Sequence, residues 1–123
     1  MKRLVFGALA LVLLIGAPTA ASAQTVREFL ATADRIPKNP LAMFNPDARR
    51  LMDQLGDSVD RVREEQAARV SNGERRTICV PDRVPVTPQT VLERFQSIPD
   101  ARRNMTVNQA MREWMAERYP CPA

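Results

Sequence analysis

Thr77-Ile78-Cys79-Val80-Pro81-Asp82-Arg83-Val84-Pro85-Val86-Thr87-Pro88 is the stretch on which the fold class turns. Thr77, Ile78 and Val80 favour extended backbone, and a strand here would make the fold mixed. Pro81, Pro85 and Pro88 decide against it, because each lacks the N–H that a central strand must donate. The segment from Glu74 to Pro88 is therefore an extended, proline-stiffened crossover, pinned through Cys79.

Upstream of it, two helices are expected. Thr25 to Ile36 reads as the first: Thr25 and Glu28 have capping-box spacing, Val26, Phe29, Leu30, Ala33 and Ile36 share one face, and Pro37 ends it. Pro37 to Pro40 is a turn, and Leu41, Ala42, Met43 and Phe44 form a short apolar link that must pack somewhere. Asn45 opens the second helix as its N-cap, with Pro46 at the first helical position and Asp47 against the positive end of the dipole. Its apolar face is Ala48, Leu51, Met52, Leu55, Val59, Val62 and Val70, and Ser71-Asn72-Gly73 stops it. Arg61, Glu65 and Arg69 are spaced for i,i+4 pairs on the exposed side. At 1.5 Å per residue, about 25 residues span roughly 37 Å, so this helix runs the length of the domain or bends near Gly56.

Downstream, Thr87-Pro88 repeats the cap-plus-proline start, and a third helix carries Val91, Leu92, Phe95 and Ile98 before Pro99 closes it. Asp100 to Arg103 is a short turn. Thr106 and Gln109 form a second capping-box pattern, with Met105 and Ala110 placed for a hydrophobic staple. The fourth helix turns Val107, Ala110, Met111, Trp114 and Met115 to the core and stops at Tyr119, before Pro120 and Cys121. The expected fold is all-α: a small four-helix domain with a proline-rich extended crossover and one disulfide.

Residues 1–23 stand apart. Lys2 and Arg3 precede an apolar run from Leu4 to Ile15, and Ala21-Ser22-Ala23 is a small-x-small site. That is the layout of a secretory signal peptide cleaved between Ala23 and Gln24. The apolar core is roughly 12 residues where a membrane span needs about 20. Gln24 is not the Cys that a lipid anchor would use. The expected product is residues 24–123, one exported, periplasmic helical domain with no membrane attachment. Without Lys2 and Arg3 the 18 basic residues become 16 against the same 14 acids, so the formal +4 falls to +2. A domain this small buries a limited core, and exported domains compensate with disulfides. Cys79 and Cys121 are the only two cysteines, so a single intramolecular pairing exists. Closing that loop contributes roughly 4 kcal/mol on the chain-entropy account.

Catalysis has little to work with. The chain has no His, which removes imidazole triads and proton shuttles near neutral pH. Two Cys make a poor structural zinc site. No Gly-rich phosphate cradle exists, since Gly56 and Gly73 stand alone after the leader. Glu64-Glu65 as an acid–base pair fails because adjacent helical residues point apart, and Cys121 reads as a disulfide partner before it reads as a thiol nucleophile. The pairs Arg49-Arg50, Arg75-Arg76 and Arg102-Arg103 suggest phosphate contacts, but acids are interleaved throughout, and nucleic-acid binding is not expected. Arg102-Arg103, in a loop between helices, is the better candidate for a protein contact, weighed against ordinary solvated charge. Trp114 and Tyr119, and the methionines Met43, Met52, Met105, Met111 and Met115, read as core filler before they read as a ligand platform. No catalytic, cofactor-binding, metal-ligating or partner-binding residue is assigned, and the chain is read as a non-enzyme without a cofactor.

One resemblance gives a sharper expectation. Cys79-Val80-Pro81, Val86-Thr87, a helix ending in Phe95, Ala101-Arg102-Arg103-Asn104-Met105, an amphipathic helix, and Tyr119-Pro120-Cys121-Pro122 follow one another over residues 79–122. This order resembles the Rap/Tai-type immunity protein family of bacterial type VI secretion. The resemblance implies a small exported helical protein with a Cys79–Cys121 disulfide. It further implies a non-enzymatic periplasmic binder that neutralises a peptidoglycan amidase effector, so the partner is a protein such as a cell-wall hydrolase. A homodimer is compatible with the same reading. The alternative is a small periplasmic stress or chaperone-like helical protein of the acid-stress type.

Overall fold

The structure, a computed structural model, describes residues 23–123. The expected leader lies outside the described residues up to Ser22, and of the expected cleavage site only Ala23 and Gln24 are described. Four α-helices follow in order: α1 Val26–Asp34, α2 Pro46–Ser71, α3 Pro88–Gln96 and α4 Val107–Arg118. Two 3-10 turns, Pro40–Phe44 and Asp100–Arg102, precede α2 and α4. Among the described residues there is no strand, only isolated bridges at Thr25–Thr106 and Ile78–Pro120. The fold is all-α, four helices with an extended crossover, closed by one disulfide.

Side-chain caps start every helix. Thr25 Oγ1 accepts the Glu28 amide and Thr106 Oγ1 accepts the Gln109 amide, each at 3.1 Å. Neither Glu28 nor Gln109 returns the bond expected of a full capping box. The first turns find other partners instead: Val26 N–H donates to Met105 O, Arg27 N–H to Arg103 O, and Val107 N–H to Gln24 O. The starts of α1 and α4 are thus stitched side by side, which satisfies amides that helix ends leave unpaired. The reciprocal box forms at α3, where the Thr87 and Thr90 hydroxyls each accept the other's amide at 3.2 and 3.0 Å. A Thr at this third position is outside the usual Glu/Gln pattern.

The core centres on Phe95, fully buried, whose ring meets Phe29 edge-on at 5.0 Å between centroids. Val26, Val91, Val107, Met111 and Met115 surround it, and Leu51, Leu55, Val59 and Val62 of α2 close one side. Helix α2 is continuous through Gly56 over 26 residues, so it runs the domain's length without the alternative bend. Its buried stripe is Leu51, Leu55, Ser58, Val59, Val62 and Gln66. Three expected members drop out: Ala48 is only half-buried and lies outside the core cluster, and Met52 and Val70 are 38% and 49% exposed. Met52 lies about 100° round the helix from Leu51, on the flank of the stripe. Two polar residues take part instead because α4 and the crossover offer partners. Ser58 Oγ meets Asn108 Oδ1 at 2.5 Å, and Gln66 Oε1 accepts the Thr77 and Ile78 amides at 2.8 and 3.1 Å.

The crossover is extended, as its prolines require. Ile78 is buried, Val80, Val84 and Val86 pack against the core, and Cys79 N–H donates to Tyr119 O at 2.8 Å. Cys121 N–H returns a bond to Thr77 O, and the Cys79–Cys121 disulfide spans Cα atoms 5.0 Å apart. The sulfurs join residues 42 apart in sequence, which on the loop-entropy account makes the bond worth roughly 4 kcal/mol. Replacing both cysteines by serine is therefore expected to lower the unfolding free energy by about that much in urea titration, while far-ultraviolet circular dichroism still shows helix.

Candidate functional site

The arginines are the most conspicuous chemical feature of the described residues, which carry 15 of them against one Lys. Seven of them tie one segment to another. Arg27 on α1 donates from Nη1 to Asp100 Oδ1 at 2.9 Å, from Nη2 to Asp100 O at 2.8 Å, and from Nε to Asn104 Oδ1. Arg103 donates to Ile98 O and Gln96 O, serving carbonyls at the end of α3. Arg63 links Asp60 to the Pro81 and Asp82 carbonyls of the crossover. A planar guanidinium can serve two or three acceptors in one fork; an ammonium cannot match that geometry. This gives the Arg-rich composition a structural reason.

The arginine pairs singled out by sequence do not form one surface. Arg49-Arg50 begins α2, Arg75-Arg76 follows its far end, and Arg102-Arg103 precedes α4. Arg102 forks onto both carboxylate oxygens of Glu113 at 3.2 Å, and Arg103 is committed as above. The expected Arg61–Glu65 and Glu65–Arg69 pairs along α2 do not form. Glu65 reaches across to α4 instead, where Arg112 donates from Nε and Nη2 at 2.9 Å each, and Arg69 pairs with Glu74. The interhelical fork wins because it gives Glu65 two charge-assisted bonds in place of one flexible contact. Glu64 stays exposed on the outer face, so Glu64 and Glu65 share no site.

Trp114 is half-buried, with the Arg94 guanidinium 5.9 Å from its ring centroid, and Arg94 pairs with Glu117 of the same helix as Trp114 at 2.7 Å. With Tyr119, Val84 and Val86 it lines a hollow of about 80 Å³, room for a few waters. Among the described residues no three His, Cys, Asp or Glu side chains converge on a metal position. No buried side-chain nitrogen or oxygen among them lacks a hydrogen-bond partner. No described helix is long and apolar enough to cross a membrane.

The expectation that Leu41–Phe44 packs away is overturned. Leu41, Met43 and Phe44 are 69%, 79% and 69% exposed. Asn39 Oδ1 accepts the Leu41 amide and Asn45 Oδ1 accepts the Asp47 amide, so the turn is held by caps at both ends rather than by burial of its side chains. Sequence reasoning expected this run to pack somewhere because it is apolar; the flanking Pro40 and Pro46 set a tight 3-10 turn that holds it clear of the helix stripe.

The ion pairs set a direction for pH dependence. The Arg112 hydrogen bonds hold the Glu65 carboxyl below its ordinary value of 4.5, against a smaller opposing effect of burial. Arg27 lowers Asp100 and Arg94 lowers Glu117 in the same way. A carboxylate depressed on folding stabilises the fold above its unfolded pKa, and the contribution is lost as pH falls through the folded value. With no His in the chain, stability is expected to be nearly level from about pH 8 to 5 and to fall below about 4.5. Glu65→Gln is expected to flatten part of that acid slope in urea midpoints measured across the range.

No family model matches the sequence, and no curated protein or solved structure matches it either.

Proposed function

We propose that this chain is an exported periplasmic protein that works by binding another protein, and that its partner is a peptidoglycan amidase which it neutralises. One observation carries the reading. Cys79-Val80-Pro81 and Tyr119-Pro120-Cys121-Pro122, the outer segments of the resemblance to Rap/Tai-type immunity proteins, lie together, joined by the disulfide and by the Cys79–Tyr119 and Cys121–Thr77 backbone bonds. Segments 42 residues apart are thus one structural unit.

Two further features support it. Asp100, Glu113 and Glu65 are each tied to an arginine, which fixes the surface on which they lie. The disulfide suits a compartment where thiols oxidise. A protein of this kind acts stoichiometrically: it covers the hydrolase's cleft and needs rigidity more than chemistry, which fastening by fork-shaped arginines supplies.

The test is deletion of the gene, followed by challenge with a sister strain that delivers cell-wall hydrolases. The reading expects lysis of the deletion strain, rescue by an exported copy, and no rescue by a copy lacking residues 1–23. Unchanged survival, together with failure of the purified protein to inhibit a hydrolase encoded beside it, would contradict it.

A further inference from the structure

The chain's single tryptophan and single tyrosine meet at one place. Trp114 and Tyr119 line the hollow of about 80 Å³ between the crossover and the end of α4, together with Val84, Val86, Met115 and Arg118. The four α4 residues share one side of the helix end, since Trp114 to Arg118 and Met115 to Tyr119 are each one turn. A cavity of roughly 150 Å³ admits benzene. At about half that volume, this hollow takes a small branched side chain and excludes an aromatic ring.

Arg118 gives the hollow a charge. Among the described residues it makes no ion pair. Its neighbour Glu117 is taken by Arg94, whose guanidinium lies over the Trp114 ring. A cation in the last turn of a helix suits the macrodipole, which accounts for a charge at this position but not for the aromatic hollow beside it. The crossover adds a second observation. It turns at Pro85, where Val86 N–H donates to Val84 O at 2.8 Å. Among the described residues Val84 N–H and the Val86 carbonyl have no hydrogen-bond partner, which leaves both to a peptide backbone.

We propose that this hollow binds the carboxyl end of a partner chain that finishes in a small aliphatic residue, with the terminal side chain between Trp114, Val84 and Val86 and the terminal carboxylate on Arg118. Three features select this occupant. The apolar walls and the volume fit an isopropyl or isobutyl group. The guanidinium without an ion pair offers a two-point fork to a carboxylate. The unpaired backbone groups of the crossover favour a peptide end over a free aliphatic acid. The disulfide holds both walls in place, since it joins the crossover to the segment that follows Tyr119. The site is separate from the proposed neutralisation of an amidase and does not depend on it.

Trp114, the only tryptophan, reports occupancy through its fluorescence. The titrant is the peptide acetyl-Gly-Gly-Val with a free carboxyl end. The expected result is a saturable change with a Kd on the order of 0.1–1 mM, the range open to a ligand of so few atoms. The same peptide ending in a carboxamide, acetyl-Gly-Gly-Phe with a free carboxyl end, and 3-methylbutanoate are each expected to bind at least about fivefold more weakly. Arg118→Gln is expected to lower affinity for the free acid about fivefold. Its affinity for the carboxamide is expected to stay the same, and its thermal midpoint to stay within about 2 °C, because the side chain is exposed and ties no other segment. Arg61→Gln, at an equally exposed arginine on α2, is expected to change neither. No saturable change up to about 10 mM peptide would overturn the proposal. So would equal binding of the acid and the carboxamide, equal binding of the Val and Phe peptides, or full affinity in Arg118→Gln. Binding of 3-methylbutanoate as tight as that of the peptide would overturn the assignment to a chain end.

Discussion

The Gln66 side chain, 3% exposed on α2, accepts the backbone amides of Thr77 and Ile78 and donates to the Thr77 hydroxyl. The rest of the structure depends on this contact. The crossover lacks regular secondary structure, so its amides have no ladder to satisfy them, and a buried unsatisfied N–H costs about 1–3 kcal/mol. With Gln66 in place, Ile78 can enter the core. Cys79 then lies opposite Cys121, and the disulfide and the Tyr119 carbonyl fasten the end of α4. One amide side chain thereby couples the longest helix, the non-helical segment and the C-terminal segment.

Much of this architecture was legible in sequence. Helix starts were marked by Thr25, Asn45, Thr87 and Thr106, and the prolines at 37, 81, 85, 88, 99 and 120 marked where regular structure stops or cannot begin. Each is a local effect, carried by one residue's own hydrogen bonds or ring geometry. The misses have non-local causes. Gln66 and Ser58 are absent from the apolar stripe read for α2, because a hydrophobic periodicity passes over polar side chains, and only the tertiary position of Thr77 and Asn108 makes them interior. Ala48, Met52 and Val70 were placed on the buried face, and the Leu41–Phe44 run was expected to pack, because apolarity was taken for burial. Glu65 was paired along its own helix, whereas Arg112, 47 residues away, offers a two-point fork.

The arginines connect composition to architecture. Their forks tie α1 to the Asp100–Asn104 loop, α2 to the crossover and to α4, and the end of α3 to the loop that follows it. Exposed pairs of this kind contribute little individually. Their joint effect is positional: loops that would otherwise wander hold a fixed shape on a small core. Asp100, Glu113 and Glu65 are each held by an arginine in this arrangement. What it offers a partner is a stable surface, and this is the property on which the proposed binding role rests.

Native-state hydrogen exchange reads the central contact directly. If Gln66 anchors the crossover, the Thr77, Ile78 and Cys79 amides exchange only with the global opening that also exposes Leu55 to Val62 of α2, and Gln66→Ala releases Thr77 and Ile78 selectively. Exchange of Thr77 and Ile78 in the unaltered protein as fast as in the exposed Asp82–Arg83 loop would contradict the account, since the crossover would then be held by the disulfide alone.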